Sequence, residues 1–341
     1  MKEGFTTGSC ATAATLASCL WQATGVCPQQ VDVIVPEGRH YIASIVEHEA
    51  YRCGVYKDAG DDPDITNESE VCAQVKLYAQ QGDITFHAGE GVGIVTRRGL
   101  KVPEGEPAIN PIPRQMMIQA LRSVFPTERA EITVSIVGGE ELAKRTFNPR
   151  LGIQGGLSIL GTSGIVRPMS EDAIKDTIAL ELQMKRQYTS EVALVFGQQG
   201  ENMLQRYAPE IHAVQMSNYV GFALDECVKL GYEKVILAGH IGKMCKVSAG
   251  VMQTHSQYGD VRREAIITQL ALVGAERSLC EKVYTCVTTD AILEVIADCQ
   301  TEVLHRLAIS AKQYAQARTF HKLTIEVYLF NTAGEMIGQS E

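Results

Sequence analysis

Three short turns in the second half of the chain carry the residue types best suited to chemistry. Gly197 and Gly200 follow the apolar run EVALVFG, Ser217 and Asn218 follow HAVQMSN, and Gly239, His240, Gly242 and Lys243 follow KVILA. Each run reads as a strand ending in a turn, and glycine at a strand end lets a ligand approach bare backbone. A nucleotide-like cofactor is the ligand class that such a crevice takes. Tight βα turns call for glycine on their own account, and FGQQGEN is not a GxGxxG fingerprint. His240 carries a side chain able to act as acid or base near neutral pH, although histidine in such a loop is more often structural. Lys243 and Lys246 lie about one helical turn apart and can face one anion together. His255 and Ser256 follow without a third residue to complete a hydrolase triad.

The first half offers two further clusters. GEGVGIVTRRG alternates Gly89, Gly91 and Gly93 ahead of Arg97, Arg98 and Lys101. That pattern either presents backbone N–H groups to an anion or makes a bulged strand with a solvated basic end. KDAGDDPDIT holds Asp58, Asp61, Asp62 and Asp64, whose spacing does not fit a calcium loop. An acidic turn around Pro63 is the plain account, with the carboxylates left as acceptors for a ligand. There is no HExxH and no close Cys/His set, so no protein-held metal is expected. The ten cysteines are scattered from Cys10 to Cys299 without a CxxC and read as reduced, largely buried thiols.

The elements that must position these residues form two domains, as expected for 341 residues. Residues 1–150 read as an α+β domain. TTGSC runs into a helix over 10–22 that Gly25 stops, VDVIVPEGRHYIASIVEH alternates as a hairpin, and a helix around 115–124 precedes the strand EITVSIVGG. A glycine-rich block then opens residues 151–319, where Ser170 caps a helix over 171–186 and strands alternate with helices. That rhythm predicts a Rossmann-like, mostly parallel α/β domain. The closing hairpin, 320–341, is a candidate to rejoin the first domain. A net charge of −9 disfavours nucleic acid and anionic membrane as partners. No apolar run is long enough to span a bilayer and the N-terminus lacks a signal-peptide pattern, so a cytoplasmic address is expected. The oligomeric state stays open, a homo-oligomer included.

The order of these blocks is itself a signal. GFTTGSCATAA, KDAGDDPDIT, GEGVGIVTRRGL, GEPAINPIPR, NPRLGIQGGLSILGTSGIVRPMS, SNYVG and GHIGKMCKVSAGVMQTHS together resemble the cobalt-precorrin-5B C(1)-methyltransferase (CbiD) family, from about residue 4 to at least 257. Ser9 and Gln253 depart conservatively, standing where Thr and Asn are expected. The resemblance implies methyl transfer from S-adenosylmethionine to carbon 1 of cobalt-precorrin-5B, giving cobalt-precorrin-6A in anaerobic cobalamin biosynthesis. Cobalt then arrives only inside the tetrapyrrole. The strand-end set Gly197, Gly200, Ser217, Asn218, Gly239 and Gly242 would bind the cosubstrate. A polycarboxylate substrate needs basic clamps within an acidic protein. Arg97, Arg98, Arg114, Arg150, Arg167, Lys243 and Lys246 are the candidates, with Thr6, Thr7 and Ser9 of the opening block beside them. If a ring proton must leave, His240, Asp61 or Glu90 would accept it. The rival readings are an NAD(P)H-dependent corrin-precursor reductase and a non-enzymatic corrinoid carrier.

Overall fold

The computed structural model describes residues 1–168 and 170–340 and is a mixed α/β structure with several sheets and helices. It divides into two units, Met1–Ser170 and Glu171–Glu341. In the first, helix α1 (Thr7–Thr24) starts where the Thr6 side chain accepts from the Ser9 N–H and stops at Gly25, whose φ of 78° is left-handed. Cys10, Ala11, Ala13, Ala14 and Ala17 are fully buried along it. These small side chains let neighbouring elements pack close on several sides. One neighbour is a five-stranded sheet of β1 (Val46–Glu47), β2 (Arg52–Tyr56), β3 (Glu70–Gln81), β4 (Ile84–Ala88) and β5 (Glu128–Ile136). The order is β1-β2-β3-β5-β4, antiparallel except for β4 beside β5. The other neighbours of α1 are α2 (Pro111–Val124) and the expected hairpin, Gln30–Ile34 paired with His40–Ser44. Helix α2 begins about four residues before the expected start, because proline at the first helical position has no N–H to leave unpaired.

The glycine-rich block belongs with this unit, which moves the boundary from the expected 150 to 170. Its backbone is stitched to the start of the chain: the Gly8 N–H donates to Leu160 O (2.8 Å) and the Thr6 N–H to Gly164 O (3.1 Å). The Ser9 hydroxyl also donates to Gly164 O, at 2.7 Å. Short antiparallel pairs join Gly4–Phe5 to Ile165–Val166 and Ile94–Val95 to Ile153–Gln154. Glycine is required here because backbone meets backbone. A Cβ on Gly156 would lie 2.4 Å from the carbonyl carbon of Gly91.

The second unit is built on a sheet whose order is β7-β6-β8-β9-β10. Its strands are β6 (Glu191–Val195), β7 (Ala213–Gln215), β8 (Lys234–His240), β9 (Thr324–Phe330) and β10 (Met336–Ser340). The first four neighbours run parallel and β10 is antiparallel. The closing hairpin therefore completes this sheet and does not rejoin the first unit. Val327 and Leu329 of β9 bury fully on the same face as Leu194 and Leu237, which a solvated edge would leave open. That face is covered by α3 (Glu171–Arg186), α5 (Val220–Leu230), α6 (Ile241–Ser248) and α10 (Gln300–Arg318), with α7 (Arg262–Leu272), α8 (Arg277–Thr285) and α9 (Thr289–Val295) outside them. The opposite face carries Ala193, Val195, Ile236 and Ala238 and is covered more thinly, by α4 (Gln198–Leu204) and Ala208. Both faces are buried, which explains why these strands read as continuous apolar runs. No helix among the described residues is long and apolar enough to cross a membrane.

Thr7 tests the stitching of the first unit. Its buried hydroxyl accepts from the Leu160 N–H at 2.9 Å and points its own proton at Leu160 O, 3.4 Å away. Thr7→Val keeps the shape but leaves the Leu160 N–H unpaired, so urea unfolding is expected to show a loss of about 1–3 kcal/mol. An unchanged midpoint would contradict this structural role.

Candidate active site

A cavity of about 840 Å³ opens at the carboxyl ends of β6, β7 and β8. Most of the second-half candidates meet there: Gly197, Gly200, Asn218, Gly239, His240, Gly242, Lys243 and Lys246 all line it, and all belong to the second unit. The glycines serve different ends. A Cβ on Gly239 would strike the Phe196 ring at 2.4 Å, and one on Gly200 would press Val195 at 3.2 Å. Gly197 has an extended backbone and nothing within 4 Å of a Cβ position, so its missing side chain leaves open space. Ser217 is not among the lining residues. Its φ of 52° turns the chain after β7 and delivers Asn218 to the wall.

His240 is held by both ring nitrogens. It caps α6, with Nδ1 accepting from the Gly242 N–H at 3.1 Å. The proton must then sit on Nε2, which donates to Thr332 Oγ1 at 3.1 Å, and that hydroxyl donates to Asp290 at 2.9 Å. Burial pushes the His240 pKa below its ordinary value, against the opposing charge of Asp290. Both ring nitrogens are thus engaged, Nδ1 at the start of α6 and Nε2 on Thr332.

Lys246 is buried, and its ammonium is turned inward. It donates to the carbonyls of Thr254 (3.1 Å) and Gly259 (2.9 Å), eight and thirteen residues on. The same strap, residues 249–260, is pinned from the side by Asn218, whose backbone oxygen accepts the Thr254 N–H and whose Oδ1 accepts the Thr254 hydroxyl, both at 3.0 Å. Thr254, His255, Ser256 and Asp260 thereby become cavity wall. His255 Nδ1 accepts from the Gln257 N–H at 3.3 Å, capping a short turn of the strap. Arg262 also lines the cavity but grips Asp260 with two bonds, Nε to Oδ1 at 2.7 Å and Nη2 to Oδ2 at 2.5 Å. That guanidinium holds the Asp260 carboxyl down to about pKa 2. Phe196, Thr254 and Asp260 were missed by the sequence reading, and Arg262, beside Arg263, reads there as one of two helix charges that are usually solvated. An aromatic residue directly before the Gly197 turn was the one signal available.

Several first-half candidates are occupied within their own unit. Arg114 donates to Ile109 O and Pro107 O, pairs with Glu106 at 2.7 Å and lies over Phe86. Arg167 pairs with Glu3 and Glu37. Arg98 is exposed near Glu104, Arg97 lies against Gly152, and Arg150 sits over the Phe147 ring. Asp61 accepts the Lys2 N–H at 2.6 Å, Asp58 pairs with the Lys2 ammonium, and Asp64 pairs with buried Lys57 at 2.6 Å. Glu90 is exposed on the turn after β4. The GEGVG amides are taken by backbone: Gly89 donates to Val134 O and Gly93 to Leu157 O. The segment is a turn, with Gly91 at a φ of 73°, and the Gly89 and Gly93 amides are not free for an anion. Spacing also concealed one cluster, in which His48, Glu70 and Cys72 approach within 4.8 Å, with His48 already bonded to Glu70 at 2.6 Å.

If the Lys246 bonds hold the strap, Lys246→Met should free it while α6 stays packed. Chymotryptic cleavage after exposed Tyr258 is expected to accelerate at least about tenfold, from the loss of two charge-assisted bonds. An unchanged cleavage rate would show that the strap is held by other contacts.

Residues 1–168 match the family described as CbiD, and residues 253–341 match its C-terminal domain. A protein of Alkaliphilus metalliredigens (strain QYMF) named cobalt-precorrin-5B C(1)-methyltransferase is 43% identical over 307 residues, covering 87% of this chain and 81% of its own. The protein of the same name from Desulfitobacterium hafniense (strain Y51) is 40% identical over 345 residues, 98% of this chain and 89% of its own. A crystal structure of the cobalamin biosynthesis protein (cbiD) from Archaeoglobus fulgidus aligns with 26% identity, a TM-score of 0.40, and coverage of 80% of this chain and 84% of that one. With relatives this similar over nearly their whole lengths, the chain belongs to the CbiD family.

Proposed function

We propose that the protein transfers the methyl group of S-adenosylmethionine to carbon 1 of cobalt-precorrin-5B, as the names of its relatives indicate, yielding cobalt-precorrin-6A. The observation that carries this reading is the convergence of strand-end glycines and basic groups on one cavity. Its volume, about 840 Å³, falls within the range of roughly 300–1,000 Å³ usual for small-molecule sites. The order β7-β6-β8 supports a Rossmann-like reading of the second unit, because the chain leaves β6 toward β7 and then crosses to the other side for β8. Ligands of open parallel sheets bind at such a reversal, outside the carboxyl ends of the strands.

The residues present suit a nucleoside carrying an amino acid. Gly197 leaves room for a ligand against bare backbone, and Gln198 and Asn218 stand beside it as polar lining. The bound cosubstrate supplies an already activated methyl group. The protein's contribution is then to orient, exclude water and hold charge. Within that division of work His240 is a positioning residue, and Gly239 lets the Phe196 ring close one wall. Lys246 and Asn218 hold the strap.

Anaerobic incubation with cobalt-precorrin-5B and S-adenosylmethionine, followed by mass spectrometry, tests the activity. One methyl in place of one hydrogen, absent without the methyl donor, is expected. A corrin bound but unchanged in mass would overturn the enzyme reading in favour of a carrier. His240→Asn then tests the positioning role, since asparagine also caps a helix N-terminus. Turnover is expected within about tenfold of the parent, with no new limb in the pH profile. A loss of roughly 10²–10⁴ would make His240 a general base instead.

A further inference from the structure

Among the described residues, one cation lining the cavity has no carboxylate paired with it. Two lysines, one arginine and one aspartate line it, in a chain whose net charge is −9. Arg262 and Asp260 satisfy each other, and Lys246 is committed to two carbonyls. Lys243 remains. Its ammonium lies 4.9 Å from the centre of the Phe196 ring, and no carboxylate comes within 4 Å of it among the described residues. The ring is fixed there by Gly239, which has no side chain to hold it off. An aromatic face partly offsets a cation but supplies no anion.

We propose that Lys243 is the carboxylate receptor of this cavity, pairing with a carboxylate of the ligand that fills it. The inference rests on the cavity being the site of methyl transfer. Two ligands bring that chemistry: the α-carboxylate of the methyl donor and the peripheral carboxylates of the tetrapyrrole. Burial, and after it the charge of nearby Lys246, lowers the Lys243 pKa, and a bound carboxylate opposes both effects. Lys243→Met keeps an unbranched side chain of similar length and removes the charge that lies over the Phe196 ring.

The test compares wild type, Lys243→Met and Lys243→Arg by calorimetry with S-adenosylhomocysteine and with 5′-methylthioadenosine, which lacks the amino-acid part. Cobalt-precorrin-5B binding is followed in parallel by absorbance titration. If the donor supplies the carboxylate, Lys243→Met weakens S-adenosylhomocysteine about 10- to 100-fold, leaves 5′-methylthioadenosine within twofold, and Lys243→Arg restores part of the loss. If the tetrapyrrole supplies it, both nucleosides bind unchanged and tetrapyrrole affinity falls by a similar factor. Equal losses for the two nucleosides, or no change with any of the three ligands, would overturn the proposal. Wild-type protein that binds neither nucleoside would overturn the donor-site reading. The tetrapyrrole titration would then decide Lys243 alone, an unchanged affinity refuting it.

Discussion

A buried ammonium facing backbone carbonyls is the constraint on which the cavity depends. Removing Lys246 from water is unfavourable unless its protons are bonded, and the carbonyls of Thr254 and Gly259 are what meet it. Their positions fold residues 249–260 back across the end of α6. Without that return, the strand ends of β6 and β8 would open to solvent on one side. The same bonds turn Lys246 from a candidate ligand clamp into part of the frame. They leave Lys243, one turn earlier, as the cation facing the cavity.

Three glycines of the first unit and one of the second serve different ends. In the first, Gly91, Gly139 and Gly156 let one stretch of backbone lie on another, and a Cβ at any of them would meet backbone atoms at 2.0–2.4 Å. In the second, Gly197 meets nothing, so the space its side chain would fill is left for something else. Charge follows the same division. Several first-unit arginines are paired or bonded within that unit, Arg114 by two carbonyls and Glu106, whereas Lys243 is left without a counterion among the described residues.

Much of the second unit was legible in the sequence. The apolar runs at Glu191–Val195 and Lys234–His240, each with a glycine turn and a helical stretch after it, read as parallel strands buried on both faces. That also pointed to the edge where the cavity lies, because the turns had to fall on one edge of the sheet. What spacing cannot show is where a polar side chain turns. His240 and Lys246 have residue types that suit catalysis and anion binding, yet their partners lie at Thr332 and at two later carbonyls, found only once the chain is folded. The glycine-rich block was assigned to the wrong unit for a related reason. Glycine reports that something approaches closely, without saying whether it is a ligand or the chain's own backbone. The hairpin read over 320–341 forms from Thr324–Phe330 and Met336–Ser340, but only burial on the second sheet decides which sheet it joins.

Hydrogen exchange with and without S-adenosylhomocysteine tests most directly the claim that the strand-end cavity of the second unit is where the methyl donor binds. Added protection is expected at the amides of residues 197–200 after β6 and at 254–260 in the strap, with residues 4–9 and 152–164 unchanged. Protection confined to those first-unit segments, with the strand-end turns unaffected, would contradict it.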